Sequence, residues 1–426
     1  MTAFGFVADD LTGASDVLAQ AHLGGLEAVL VLHPRRGLPN ADVVGVAGPA
    51  RSLSGAALDA AIREGIAPFR EREVQVLLYK VCSTFDSSPT VGSIGRAIEL
   101  LHEAFPAHGP IPVAPAQPDF GRYTAFSQHF GVYEQHTYRL DRHPVMSRHP
   151  STPMTEADLR LILSAQLDSG DVPNSIHLPS FGDGSFRSRW RESRQRTESA
   201  FVVDAVENAH LDQIAAALLE TRPDVGPTIV VGSGGIMAAL ARTMKRTVPT
   251  PSGVDRASGP VLAVSASASA ATGNQITDAI TRGWIDIPID GAALNEDDAF
   301  DELLDRITGE LADGHDVIAH TARGPEDPRL VPDVGLSAAH IGARIGRIAA
   351  TTAERRLTRD IAICGGDTSS HALLAADVNE LRVISQFVTA GPVCATDPDS
   401  ALADCRVLLK GGQVGPVDVL HRFAGR

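Results

Sequence analysis

Residues 4 to 16 read Phe-Gly-Phe-Val-Ala-Asp-Asp-Leu-Thr-Gly-Ala-Ser-Asp, and the adjacent carboxylates Asp9 and Asp10 are the first groups able to do chemistry. They follow an apolar run, Phe4–Ala8, and precede a helical pattern carried by Val17, Leu18 and Ala21. A strand, a turn and a helix are expected, with both carboxylates at the strand's carboxyl end, where α/β sheets bind ligands. Bound phosphate prefers N–H groups and cations, so a carboxylate pair suits hydroxyl donors or a metal ion. A charge-assisted hydrogen bond to such a hydroxyl contributes roughly 1.5–3 kcal/mol. By spacing alone the segment equally fits a surface turn in which Ser15 or Asp16 caps a helix.

A second constellation lies late in the chain. Asp360–Cys364 reads as a buried strand, followed by Gly365-Gly366-Asp367-Thr368-Ser369 and a helix beginning near His371. Two glycines permit close backbone approach, and the helix N-terminus offers free N–H groups with partial positive charge. That is a cradle for phosphate, with Asp367 placed to hold a magnesium ion or an attacking hydroxyl. A tight strand–helix turn capped by Thr368 or Ser369 fits the same residues. Two further strand ends are rich in small residues: Ser265-Ala-Ser267-Ala-Ser269, and Lys410-Gly411-Gly412-Gln413-Val414-Gly415. Together they suggest a nucleotide bed of backbone amides, with Lys410 as counter-charge. Neither GxxxxGK[ST] nor GxGxxG occurs, so P-loop and dinucleotide folds have no direct support.

Several groups in the first half could face Asp9 and Asp10. Arg51-Ser52 follows the apolar run Val43–Ala47, Lys80 follows Val74–Tyr79, and Ser83, Thr84, Asp86, Ser87 and Ser88 crowd the next loop. Arg122 lies beyond the Ile111–Ala114 run. Cations beside carboxylates and hydroxyls suit a small polyhydroxy acid, the cations holding its carboxylate and the aspartates its hydroxyls. Ordinary polarity at loop ends is the alternative. His129, His136, His143 and His149 form no compact metal signature and are expected to fix loops or edge the substrate.

The elements that must position these groups alternate between strand and helix nearly throughout. The expected fold class is α/β, with two domains, each a mostly parallel sheet flanked by helices. At 426 residues, two cores are the natural expectation. The breaker-rich stretch 247–260 is the linker candidate, which sets the domains at 1–247 and 260–426. Residues 117–153 carry aromatics, His, Pro and Arg without a clean period and are expected to form an irregular functional segment or flap. A formal charge of −15 disfavours nucleic acid and anionic membranes as partners. Four scattered cysteines, Cys82, Cys364, Cys394 and Cys405, fit reduced thiols in a cytoplasmic protein. No apolar stretch approaches the ~20 residues of a membrane span, and the early strand leaves no room for a signal peptide.

The segment Ala8-Asp9-Asp10-Leu11-Thr12-Gly13-Ala14-Ser15-Asp16 resembles the N-terminal signature of the four-carbon acid sugar kinases. The likeness continues in order through Lys80-Val-Cys-Ser83-Thr84, Ala114-Pro-Ala-Gln117 with Gly121-Arg122, and Val231-Gly232-Ser233-Gly234-Gly235. Ser265–Ser269 with Thr272 and Gln275, Gly365–Thr368, and Lys410–Gly415 complete it. The resemblance implies an ATP- and Mg2+-dependent kinase that phosphorylates a hydroxyl of a small acid sugar, either a four-carbon aldonate, a 3-oxo-tetronate or a branched relative such as 3-oxo-isoapionate. The N-terminal domain would bind the acid through Asp9, Asp10, Arg51, Ser52, Lys80, Ser83 and Arg122. The C-terminal domain would bind nucleotide through Ser265, Ser267, Gly365, Gly366, Asp367, Thr368, Gly411 and Gly412. Asp10 and Asp367 are the expected catalytic groups, with no resident metal site and with a homodimer allowed for. A metal-dependent sugar-acid aldolase or dehydratase built on Asp9 and Asp10, and a non-catalytic sugar-acid sensor, are the competing readings.

The chain departs from that family's pattern in one loop. Cys82 stands where the family usually carries aspartate, and Phe85-Asp86-Ser87-Ser88-Pro89 replaces an arginine-bearing piece. Losing an arginine fork from a substrate loop is not conservative. It shifts the expected substrate toward a larger, branched or 3-oxo acid sugar.

Overall fold

In the computed structural model, Phe4–Ala8 (β1) is buried at every position, as expected for a strand of a parallel sheet covered on both faces. The structure describes residues 3–34, 37–149, 151–221, 226–246, 255–329, 336–389 and 391–426. The remaining early strands are Ala28–Val31 (β2), Val43–Ala47 (β3), Val76–Lys80 (β4) and Ile111–Ala114 (β5). After them come Arg122–Ala125 (β6), Gln128–Tyr133 (β7), His136–Arg139 (β8), Asn174–Ile176 (β9), Ala200–Val203 (β10) and Thr228–Gly232 (β11).

The chain divides into two compact units, one comprising residues 1–28 and 33–248, the other residues 29–32 and 249–426. In the first, parallel strands run in the order β3-β1-β4-β11-β5-β10-β9. Helices such as Gly55–Ile66 and Ile94–Ala104 bury their apolar faces with Phe69, Leu77 and Val113 in one core. Asn174–Ile176 is a three-residue edge strand that carries no alternation to announce it.

Residues 117–153 are more regular than their sequence suggests. β6, β7 and β8 form a three-stranded antiparallel sheet. The β6–β7 turn places Phe126 and Ser127 at φ 52° and 64°. No Asn-Gly or Asp-Gly marks that turn. Instead the Asp204 carboxylate accepts both turn amides, at 2.6 and 2.9 Å, so a residue 77 positions away supplies the turn chemistry. The expected helix at 155–166 is shorter, Leu159–Ser164, because Asp158 caps it by accepting the Arg160 amide at 2.9 Å.

The second unit contains Val261–Ser265 (β12), Ile285–Pro288 (β13), Val317–His320 (β14), Asp360–Cys364 (β15), Glu380–Val388 (β16), Gly391–Thr396 (β17) and Arg406–Lys410 (β18). Its order is β13-β14-β12-β15-β18-β17-β16-β2. The first five strands are parallel and the last three antiparallel. Val261, Ile276, Trp284, Leu408 and Phe423 share its core. Residues 29–32 belong to the C-terminal unit rather than to the expected N-terminal domain, because β2 pairs with β16 through Leu30↔Leu381 and its neighbours. Residues 247–254 of the linker candidate lie outside the described ones. No helix among the described residues is long and apolar enough to cross a membrane.

Candidate functional site

Ala8 at the end of β1 pairs with Ala47 of β3 and with Lys80 of β4; Lys80 pairs with Gly232 of β11, which pairs with Ala114 of β5. Parallel strands in register end on one line, so the residues that follow them emerge along one edge. The Asp9 amide donates to the Lys80 carbonyl at 3.1 Å, and the Arg51 amide to the Asp9 carbonyl at 3.0 Å. Backbone bonds thus bring residues 9, 51 and 80 together.

The side chains complete the arrangement. Arg51 Nε and Nη2 donate to Asp9 Oδ2 and Oδ1 at 3.1 and 2.7 Å, while Nη1 donates to Asp10 Oδ2 at 2.7 Å. The other Asp10 oxygen accepts the Gly13 amide at 2.7 Å and caps the helix Leu11–Leu23. The cap is therefore Asp10 rather than Ser15 or Asp16; Ser15 lies inside the helix and donates to the Thr12 carbonyl. Both aspartates are buried, so this is no surface turn. Burial raises the Asp9 pKa, Arg51 opposes that rise and Asp10 adds to it. Burial also opposes the Arg51 charge, but Asp10 and Asp9 outweigh it, and the guanidinium is held well above its ordinary value.

Lys80 is buried beside this group and donates to the Val81 carbonyl at 2.7 Å. Its charge acts on Asp16, a buried carboxylate in the first helix whose pKa is raised by burial. Asp16 accepts from Gln117 Nε2 at 3.2 and 3.1 Å and from Gln20 at 3.2 Å. Asp16 and Gln117 were visible in sequence only as parts of longer matches, and nothing in their spacing joins them.

The loop after β4 carries a hydrogen-bonded chain. Cys82 Sγ lies 2.9 Å from Thr84 Oγ1, which donates to Asp86 Oδ1 at 2.5 Å. Burial raises the Cys82 pKa and Asp86 raises it further, while Arg51 and Lys80 act against them, so a neutral thiol stands near the two cations. The Ser83 carbonyl accepts from His129 Nε2 at 2.7 Å, fastening the loop to β7. Arg122 sits at the start of β6 with its charge near Cys82 and Asp86. Ser52 is exposed and donates to the Pro49 carbonyl at 3.1 Å, a turn contact apart from the aspartates.

The second unit repeats the device with different residues. Ser265 at the end of β12 pairs with His320 of β14 and Cys364 of β15, and Cys364 pairs with Lys410 of β18. Ser265 Oγ accepts the Ser267 amide at 3.2 Å, and Ser269 caps the helix Ala270–Thr281. The Gly412 carbonyl accepts from Ser269 Oγ and, at 2.8 Å, from Thr272 Oγ1. A Cβ on Gly412 would lie 2.6 Å from Ser267 Oγ, so a side chain here would displace the Ser267 hydroxyl. The Gly365 amide donates to the Lys410 carbonyl at 2.9 Å, and Gly366 precedes the helix Asp367–Ala375, in whose first turn Thr368 lies. The Asp367 side chain lies outside the described set. Lys410 is buried and donates to Thr272 Oγ1 and the Gly411 carbonyl, both at 3.1 Å. Burial lowers its pKa, and no carboxylate pairs with it among the described residues. Small side chains, hydroxyls, a helix N-terminus and a buried cation suit a polyphosphate. Among the described residues, no three His, Cys, Asp or Glu side chains gather as a metal site.

A family model described as a sugar-binding N-terminal domain matches residues 4–240, and one described as a nucleotide-binding C-terminal domain matches residues 262–420. The chain belongs to the four-carbon acid sugar kinase family. A 3-oxo-isoapionate kinase from Paraburkholderia graminis is 34% identical, covering 96% of this chain and 91% of that protein. A 3-oxo-tetronate kinase from Cupriavidus necator is 28% identical over 97% and 94% of the two chains, and a D-threonate kinase from Salmonella typhimurium is 26% identical over 96% and 94%. The acid sugar kinase chain also shares its fold with a Salmonella typhimurium crystal structure described as a putative tRNA synthase, with a TM-score of 0.82 at 19% identity over 99% and 98% of the chains. A Haemophilus influenzae structure matches with a TM-score of 0.75 at 21% identity over 99% of both chains. At these identities the structural likeness speaks for the fold alone.

Proposed function

We propose that this chain is an ATP-dependent kinase that phosphorylates a hydroxyl of a small acid sugar, with 3-oxo-isoapionate as the leading substrate. The observation that carries this reading is the Arg51 fork closed on Asp9 and Asp10 at a strand-end edge. Two carboxylates held by one buried cation present acceptors to sugar hydroxyls without collapsing on each other. The 34% identity to a 3-oxo-isoapionate kinase supports the substrate class, as does the replacement of the arginine-bearing loop by residues 85–89.

Asp10 and Asp9 accept the substrate hydroxyls, and Asp10 orients the attacking one. Of the five N–H donors of a guanidinium, Arg51 uses three on the aspartates, so its first task is to hold them; Lys80 supplies positive potential beside them. The nucleotide phosphates fit the bed made by Ser265, Ser267, Gly365, Gly366, Thr368, Gly411 and Gly412, with Lys410 beneath it as counter-charge. Asp367 would hold magnesium or take the hydroxyl proton. Bound ATP and Mg2+ supply the phosphoryl group and neutralise its developing charge, and the protein contributes position and fixed dipoles.

An ADP-release screen of the purified full chain over four- and five-carbon acid sugars, including 3-oxo and branched acids, tests this reading. Turnover with 3-oxo-isoapionate well above that with threonate is the expected result. ADP formation with none of the acids would overturn the substrate class.

A further inference from the structure

The helix Ala270–Thr281 grips the loop after β18 along one of its faces. Its cap Ser269 is followed at intervals of three by Thr272 and Gln275, so the three side chains stand on the same side. The Gly412 carbonyl accepts from Ser269 Oγ and, at 2.8 Å, from Thr272 Oγ1. Gln275 Nε2 faces the carbonyls of Val414, Gly415 and Pro416 at 3.0, 3.0 and 3.1 Å. Its two N–H groups are shared among three acceptors. The Gly411 carbonyl takes the Val414 amide at 3.0 Å and Lys410 Nζ at 3.1 Å. From Gly411 to Pro416, every carbonyl except that of Gln413 therefore meets a donor among the described residues.

The amides of the same loop are used differently. The Val414-to-Gly411 bond closes a turn with Gly412 and Gln413 at its two central positions. Among the described residues, neither Gly412 nor Gln413 donates its amide to a protein acceptor. Gly412 is half-buried and Gln413 exposed, so solvent reaches this stretch. Successive amides in a turn form a concavity for an anion. A free carbonyl beside them would set its negative end against a phosphate. Gln275 is buried, and its Oε1 has no hydrogen-bond partner. A buried acceptor without a donor is destabilising, so packing does not account for a glutamine at this position, whereas its two donors do.

We propose that Gln275 is a positioning residue for phosphate binding: by holding the carbonyls of residues 414–416 on the helix, it keeps the Gly412 and Gln413 amides free as donors to the nucleotide phosphates. Ser269 and Thr272 hold the other half of the loop. Gln275 touches no ligand and acts through the loop backbone. The inference rests on the nucleotide-binding reading above and adds the device that sets the direction of the loop's dipoles.

The test uses the full chain as wild type, Gln275→Met and Thr272→Val, each assayed at a temperature where thermal unfolding shows it folded. Gln275→Met keeps the length of the side chain and removes both donors, and Thr272→Val keeps the shape and removes the hydroxyl. Calorimetric titrations with ATP and with inorganic tripolyphosphate, each with Mg2+, read binding directly. Both variants are expected to lose roughly tenfold in affinity for each of these ligands. In the kinase assay KM for ATP is expected to rise by the same factor, and kcat at saturating ATP to fall by a smaller one. Affinities equal to wild type in both variants, whatever their stability, would make the ladder purely structural and overturn the proposal. A loss confined to ATP, with tripolyphosphate unaffected, would overturn it too, as would wild type that binds ATP but no tripolyphosphate. Wild type that binds ATP and phosphorylates no acid sugar overturns the kinase reading alone, and the titrations still decide the role of Gln275. Wild type that binds neither ligand overturns the nucleotide reading and this proposal with it.

Discussion

Arg51 Nη1 lies 2.7 Å from Asp10 Oδ2, although the two residues are 41 positions apart in the chain. The bond gives Asp10 two tasks, since its other oxygen caps the first helix through the Gly13 amide. Those tasks respond differently to one substitution.

Asp10→Asn retains a good helix cap and loses the charge-assisted bond to Arg51. We expect kcat to fall roughly hundredfold or more with KM for ATP unchanged, and unfolding stability to fall by about 1.5–3 kcal/mol. Steady-state kinetics beside urea unfolding separates the two effects, and normal turnover on the true substrate would show that Asp10 is misassigned.

Gly412→Val forces a side chain against Ser267 Oγ, which a Cβ at Gly412 already approaches to 2.6 Å. The Ser267 and Ser269 side chains must shift out of the strand-end bed, and ATP affinity is expected to fall about tenfold or more. Acid-sugar affinity in the first unit should not change. Calorimetric titrations with each ligand alone measure both.

Lys410 is a buried cation with two neutral hydrogen-bond partners. Lys410→Met removes an unpaired charge from the interior, which is neutral or stabilising by about 1 kcal/mol. Phosphate binding loses its counter-charge, so KM for ATP should rise about tenfold. Loss of stability together with unchanged ATP affinity would make this lysine purely structural.

His129 gives the protein an acid limb. Burial pushes its pKa from 6.5 down to about 4, and it is held neutral between Ser83 and Thr124. A histidine with a depressed folded pKa contributes stability that is complete above 6.5 and is lost as pH falls toward about 4. The limiting slope is about 1.4 kcal/mol per pH unit. His129→Gln should flatten that part of the curve, read from urea midpoints between neutral pH and the acid limb.

Much of the fold could be read in advance because buried parallel strands are apolar at every position. β1, β12 and β15 fall where the runs Phe4–Ala8, Val261–Ser265 and Asp360–Cys364 place them. The antiparallel sheet of β6 to β8 could not be read, because its turn is stabilised by Asp204 rather than by turn residues. β2 is as legible as its neighbours, yet its membership in the C-terminal unit depends on pairing with residues about 350 positions later. The site divides the same way. Asp9, Asp10 and the glycine-rich strand ends stand out by residue type, whereas the Asp16–Gln117 pair is made only by folding.

The sequence alone determined which residues could carry charge, hydroxyls and close backbone approach, because those properties belong to each residue type. It also determined the order of strands along the chain. Only the tertiary structure decided what Asp9 and Asp10 face. Strand register aligns Ala47, Ala8 and Lys80 on one edge, and that alignment closes the Arg51 fork on both aspartates. Charge and hydrogen-bonding capacity are local properties of a residue, but whether a donor is already used is a property of the packed neighbourhood.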